Sequence, residues 1–214
     1  MKVLIACEES QTVCKAFREL GFDAYSCDLI DCSGGHPEWH LKCDALSVLH
    51  DHWDLIIAHP PCTYLTVTGN RWFDVSRYGD RALQRFELRD LAARFFMEFV
   101  NCDCPHVAIE NPIGYMSTYY RKPDQIIQPF YFGDPARKAT CLWLKGLPLL
   151  VSTSVVEPII VRYKNGKGTD NPWHIDSLKL PKDERARYRS KTFPGIAAAM
   201  ASQWSAYLLN HQNR

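Results

Sequence analysis

Short apolar runs that each end in a polar or reactive residue constrain this chain more than any other feature. Lys2 to Ala6, Phe22 to Cys27, Asp54 to Ala58 and His106 to Ile109 read as strands, and amphipathic stretches separate them. Alternation of this kind predicts β-α-β units, hence an α/β fold of Rossmann-like type: a mostly parallel sheet with helices on both faces. Ser10 is placed to cap a helix running to Leu20 and stopping at Gly21. Asp44 opens a second, short helix. From Arg81 to Val100, Leu83, Phe86, Leu91, Phe95 and Phe99 recur at helical spacing and predict a core-facing stripe. Thr140 to Leu144 reads as a later strand, and Gly195 to Leu209 as a final helix rich in alanine. Thr63 to Asp80, and residues from about 150 to 192, show no clear period and are expected to be irregular.

In an open α/β sheet, ligands sit beyond the carboxyl ends of the strands. Glu8, Asp28, Cys62 and Glu110 follow these four strands in turn, so residues scattered through the sequence are expected to converge on one crevice. Cys62 is the most informative of them. Pro60 and Pro61 stiffen its approach and deny two amide donors, which suits a side chain held exposed at the rim of a sheet. Cys14 and Cys141 read instead as inert buried thiols. A cysteine nucleophile needs a lowered pKa or a neighbouring cation, and His59 and Arg137 are candidates for that service.

Composition narrows the class. At 214 residues the chain reads as one domain able to bury a full core without a staple. No apolar run approaches the roughly 20 residues that span a bilayer. The opening residues meet the pair Glu8-Glu9 at once, so neither a membrane segment nor a signal peptide is expected. Nine cysteines point to a reducing, cytoplasmic setting. Cys102-Asp103-Cys104-Pro105-His106, and Cys27 with Cys32 and His36, lack paired Cys-x-x-Cys spacing, so no metal is expected. The net charge of +1 conceals an island: between Ile160 and Lys191 nine Lys or Arg face four Asp or Glu. Such an island meets either phosphate backbones or solvent.

Several segments, in order, resemble the S-adenosylmethionine-dependent DNA cytosine methyltransferases that act on carbon 5. His59-Pro60-Pro61-Cys62 is similar to that family's Pro-Pro-Cys nucleophile loop, and Glu110-Asn111-Pro112 to its Glu-Asn-Val motif. Asp134-Pro135-Ala136-Arg137-Lys138 resembles the later basic motif, and Phe193-Pro194-Gly195-Ile196-Ala197 the last motif before a helix. The likeness spans residues 1 to about 145 and about 192 to 208, as in a minimal, phage-like member.

The resemblance implies covalent catalysis by Cys62 on carbon 6 of cytosine. Glu110, kept protonated or sharing a proton, would act at N3 and the amino group, and Arg137 would steady the developing charge. It implies a cofactor site from Cys7, Glu8, Glu9, Ser10, Asp28, Asp44, His59 and Pro60, with Asp28 on the ribose and Asp44 on the adenine amino group. Pro61, Asn111, Arg71 and Lys138 are expected to contact a DNA substrate, and the loop carrying Arg71, Trp72 and Arg77 to close over it.

Two departures stand out. The family's Phe-x-Gly-x-Gly-Gly aligns with Cys7-Glu8-Glu9-Ser10-Gln11-Thr12, which leaves two carboxylates to bond an ammonium group. Residues from about 150 to 192 stand as a short basic insertion where a larger target-recognition domain is usual. Competing readings are methylation of an exocyclic amino group and a methyltransferase fold that binds nucleic acid without reacting. Against the former, Cys62 occupies the acceptor position, with Tyr64 two places later.

Overall fold

A computed structural model describes residues 1–163 and 168–212. Strands β1 (Lys2–Ala6), β2 (Asp23–Asp28), β3 (His40–Lys42), β4 (Leu55–Ala58), β5 (Val107–Pro112), β6 (Gln125–Ile127) and β7 (Thr140–Lys145) form one sheet in the order β3-β2-β1-β4-β5-β7-β6. Neighbours from β3 through to β5 pair in parallel, and β7 runs antiparallel to both β5 and β6. The fold is thus α/β and Rossmann-like, with a mostly parallel sheet.

Parallel strands covered on both faces must be apolar on both. Val3, Ile5, Leu55 and Ile57 point to one core, and Leu4, Ala6, Ile56 and Ala58 to the other. Helices α1 (Thr12–Glu19) and α7 (Pro194–Gln212) cover the first face, where Val13, Cys14 and Phe17 meet Ile196, Ala197, Met200 and Trp204. The Trp204 indole N–H donates to the Pro148 carbonyl at 3.0 Å, which satisfies its one polar atom. On the other face, α3 (Asp80–Asn101) follows the short α2 (Val75–Tyr78) and buries Ala93, Phe96 and Phe99; Phe96 meets Trp143 edge-on at 5.2 Å. Among the described residues no helix is long and apolar enough to cross a membrane.

Several expectations need correction. Leu83, Phe86 and Leu91 are exposed, not core. The residues of α3 that approach the interior include the small Ala82 and Ala93, so size misleads about which face is buried. Phe86 instead packs on Phe73, at 4.9 Å between rings. Thr63 to Asp80 is not a featureless loop, because Val67–Phe73 winds into 3-10 turns ahead of α2. Residues beyond 150 hold a small hairpin, β8 (Val161–Arg162) and β9 (Thr169–Asp170), then α5 (Pro172–Leu178) and α6 (Lys182–Ser190). Lys164 and Lys167 of the basic island lie outside the described residues. Between β5 and β6 sits the single-turn α4 (Met116–Tyr119).

Candidate active site

The strand ends build the site. β1 is followed by Cys7, whose φ of 60° lies in the left-handed region, and Gln11 repeats that conformation at 57°. Gln11 occupies one of the glycine positions of the first loop and accepts the strained backbone without being glycine. Its buried side chain compensates: Nε2 donates to Ser26 Oγ at 3.2 Å and to the His36 carbonyl at 2.8 Å, and Oε1 accepts from the His36 amide at 3.0 Å. Close approach is supplied from the other side by Gly34, where an added Cβ would lie 2.5 Å from Gln11 Cβ.

Ser10 does not cap α1. Glu8 turns inward and its carboxylate accepts from the Val13 and Cys14 amides at 2.7 and 3.2 Å, meeting the bare donors of the helix start. Burial pushes the Glu8 carboxyl up, with Glu9 adding to the effect, while His59 and those two amides oppose it. Glu9, by contrast, has both carboxylate oxygens buried and without a partner. A bare buried carboxylate asks for a cation or a donor from outside the chain. The expected pair of ammonium ligands therefore divides, Glu8 serving the helix and Glu9 remaining available.

Asp28 ends β2 and accepts a long bond of 3.3 Å from the Ile30 amide. Asp44, after β3, caps the next 3-10 turn by accepting from the Leu46 amide at 3.0 Å. Both stay on the side of the sheet where β1 ends, since Asp28 pairs with Lys42 and Cys27 with Ala6.

Across the sheet's centre, the ends of β4 and β5 are stitched together. His59 Nδ1 lies 3.1 Å from Glu110 Oε2, and Asn111 Nδ2 donates to the Pro60 carbonyl at 2.8 Å. The Val67 amide donates to Ile113 and the Tyr115 amide to Leu65, at 3.1 and 2.7 Å. β5 runs through Glu110 to Pro112, because β7 pairs with all three of its last residues. Cys62 is exposed, and its carbonyl accepts from the Leu65 and Thr66 amides at 3.0 Å each, which fixes the turn that carries the thiol.

The site's charges are coupled. Burial pushes the Glu110 carboxyl up, but the His59 hydrogen bond and the Lys138 charge outweigh it and hold the group below its ordinary range. Of the two expectations for Glu110, a proton kept on the carboxyl or one shared, the 3.1 Å contact with His59 Nδ1 supports the shared one. Burial holds the Cys62 thiol above its ordinary range and the Glu110 carboxylate adds to it. Lys138 and Arg189 pull the other way without outweighing them, so the lowered thiol expected of a nucleophile is not what these groups alone give. The cations whose charge lowers the thiol are Lys138 and Arg189, in place of the expected His59 and Arg137. Arg137 turns toward β9, where its guanidinium donates to Thr169 Oγ1 at 3.4 Å. Lys138 is steered by the end of α6, donating to the carbonyls of Arg189 and Lys191 at 3.1 and 3.3 Å.

Arg71 lies exposed over the Trp72 ring at 4.7 Å, beyond the Cys62 turn. Cys102 and Cys104 spend their thiols on backbone carbonyls, and among the described residues no three His, Cys, Asp or Glu gather as metal ligands. Sequence reasoning missed Gln11 and Arg189. A non-glycine in a glycine position was the available signal for the first, and nothing local marks the second.

No family model and no curated protein matches the sequence. Solved structures do. The Entamoeba histolytica methyltransferase EhMeth aligns over 100% of this chain and 99% of its own, at 10% identity and a TM-score of 0.54. A protein described as a DNA modification methyltransferase encoded within an E. coli prophage aligns with 85% of this chain at 16% identity and a TM-score of 0.46. The S. pombe Dnmt2 methyltransferase aligns with 86% of it, at 16% identity and a TM-score of 0.43. The chain spans 56% and 62% of the lengths of the latter two. At these identities the likeness establishes a fold, the Rossmann-like α/β fold that EhMeth also has.

Proposed function

We propose that this chain transfers a methyl group from S-adenosylmethionine to carbon 5 of cytosine in DNA, through a covalent bond to Cys62. The observation that carries the reading is the stitching of Cys62 and Glu110 to adjacent strand ends, within one coupled field that includes His59 and Lys138. Carbon 5 of cytosine is too weak a nucleophile to take a methyl group unaided. Addition of the Cys62 thiolate to carbon 6 turns the ring into an enamine and makes carbon 5 nucleophilic. Lys138 and Arg189 offset part of the burial that holds the Cys62 thiol up, in the direction of the thiolate that this addition needs. Electron density arriving at N3 is met by a proton from the Glu110–His59 pair, 3.1 Å apart. Loss of the carbon-5 proton and expulsion of Cys62 then restore the aromatic ring.

The acidic rim fits the cofactor's ammonium group and its hydrogen-bond donors. Glu9, buried and bare, suits its ammonium group, and Asp28 and Asp44 suit the ribose and adenine ends. When bound, S-adenosylmethionine supplies an electrophilic methyl group. Residues 1–214 then act as one methyltransferase domain in the cytoplasm, with about 150–192 standing where a larger target-recognition region would lie. The test is mechanism-based trapping on DNA containing 5-fluorocytosine. A covalent adduct in the parent, absent in Cys62→Ser, supports the reading. A parent that forms no adduct with cofactor present overturns it.

A further inference from the structure

A cleft of about 530 Å³ opens one residue after the nucleophile, between the turns of Thr63–Phe73 and the start of α3. Tyr64, Trp72 and Tyr78 supply aromatic surface and Arg81 and Arg85 supply charge, and no Asp or Glu is among the residues that line it. The rings of Trp72 and Tyr78 meet at 5.1 Å. The Arg85 guanidinium lies 4.9 Å from the Tyr64 ring centre and donates to the Thr63 carbonyl at 3.0 Å. Gly69 makes that seat, since an added Cβ would fall 2.7 Å from Arg85 Nη2. Arg85 Nε is buried without a partner. Arg71 and Arg77 lie over Trp72 and Tyr78 at 4.7 and 5.4 Å. Planar rings interleaved with guanidinium groups are what unpaired bases and their phosphates select.

We infer that this cleft binds the unpaired nucleotides flanking the target base, so that the preferred substrate is single-stranded DNA. The inference rests on the function proposed above for its choice of strand, but the binding it describes needs no chemistry. Two observations carry it. The cleft wall is continuous with the Cys62 turn, whose carbonyl accepts from Leu65 and Thr66, so a strand presenting a base to the thiol runs its neighbours along Tyr64. The lining offers ring faces, which a base in duplex DNA cannot use while its own faces are stacked on its neighbours. The volume lies within the range of pockets that hold small organic groups.

Fluorescence anisotropy of the cofactor-free protein with a labelled 5-fluorocytosine-free oligodeoxynucleotide tests this at fixed salt. The single strand is expected to bind at least about tenfold tighter than the same sequence as duplex. Trp72→Ala and Tyr78→Ala should each weaken it roughly tenfold, within the range for loss of one stacked base. Trp72→Phe, which keeps a ring, should restore most of the affinity, and Arg81→Gln should lower the salt slope by about 0.7. Equal affinity for duplex, or alanine variants that retain their fold and bind as the parent does, overturn the inference. The two readings fail separately. Single-strand binding without a trapped adduct leaves the cleft and removes the chemistry, whereas an adduct with unaltered binding in Trp72→Ala removes the cleft alone.

Discussion

Gly114 offers a direct way to separate the Cys62 turn from Glu110. Its backbone is not in the left-handed region, so alanine meets no conformational penalty there and any effect comes from packing. An added Cβ would lie 2.0 Å from the Leu65 carbonyl oxygen and 2.8 Å from the carbonyl carbon. Ordinary contact begins at 3.4 Å, so the two chain segments must part by about 1.4 Å. The neighbour is backbone and cannot swing aside. Overpacking of this kind costs about 1–3 kcal/mol. In a chain of this size that lowers Tm by roughly 2–4 °C per kcal/mol. The displacement also breaks the bond from the Tyr115 amide to Leu65, now 2.7 Å. Because Leu65 bonds to the Cys62 carbonyl, the thiol moves with it. A shift near 1 Å at a reacting group can lower a rate by about 100-fold. Gly114→Ala should therefore lose a few degrees of Tm and most of its rate of adduct formation on 5-fluorocytosine DNA. A variant that melts lower yet traps at the parental rate would refute the link between this contact and the thiol's position.

Other outcomes follow from the same geometry. Glu110 is held below its ordinary range, so its interactions stabilise the fold fully above the usual carboxylate pKa of about 4.3 and are lost as pH falls through the depressed value. In Lys138→Met, the deficit in Tm relative to the parent should be full near neutral pH and shrink in acid; a deficit that ignores pH counts against the assignment. Alkylation of Cys62 by iodoacetamide, followed by mass spectrometry, should speed severalfold in Glu110→Gln and slow in Lys138→Met, because the carboxylate raises the thiol and the ammonium lowers it. Gln11→Ala removes the partner of both His36 backbone groups and one of three bonds at Ser26 Oγ, and should cost about 2–3 kcal/mol in denaturant unfolding. Glu9→Gln should weaken S-adenosylmethionine binding by calorimetry while leaving Tm within a few degrees, since neither carboxylate oxygen has a partner to lose.

The central strands were legible because burial on both faces leaves contiguous apolar runs; β1 spans Lys2–Ala6 as read. Edge strands were not. β3 and β6 are three residues each, pair on one side only, and carry mixed side chains that announce no period. β5 was read as ending before Glu110, because what extends it to Pro112 is pairing with β7 some 30 residues later. The face of α3 was misread since alanines mark its close approach and larger apolar residues serve the Tyr64–Tyr78 surface. At the site, Cys62, Glu110 and the acidic strand ends could be named from their places after strands. Which cation attends them could not. Arg137 and Lys138 are sequence neighbours, and their courses are set by contacts far along the chain, Arg137 with Thr169 and Lys138 with the carbonyls of 189 and 191.

That contact ties the reactive thiol's surroundings to a distant stretch of chain. The ammonium whose charge bears on Cys62 and Glu110 is moored by two peptide oxygens at the end of a polar helix whose Lys182, Arg187 and Arg189 stand in solvent. On the function proposed above, anything that grips that helix from outside would also adjust the acidity of the sulfur, so that recognition and reactivity would share one tether.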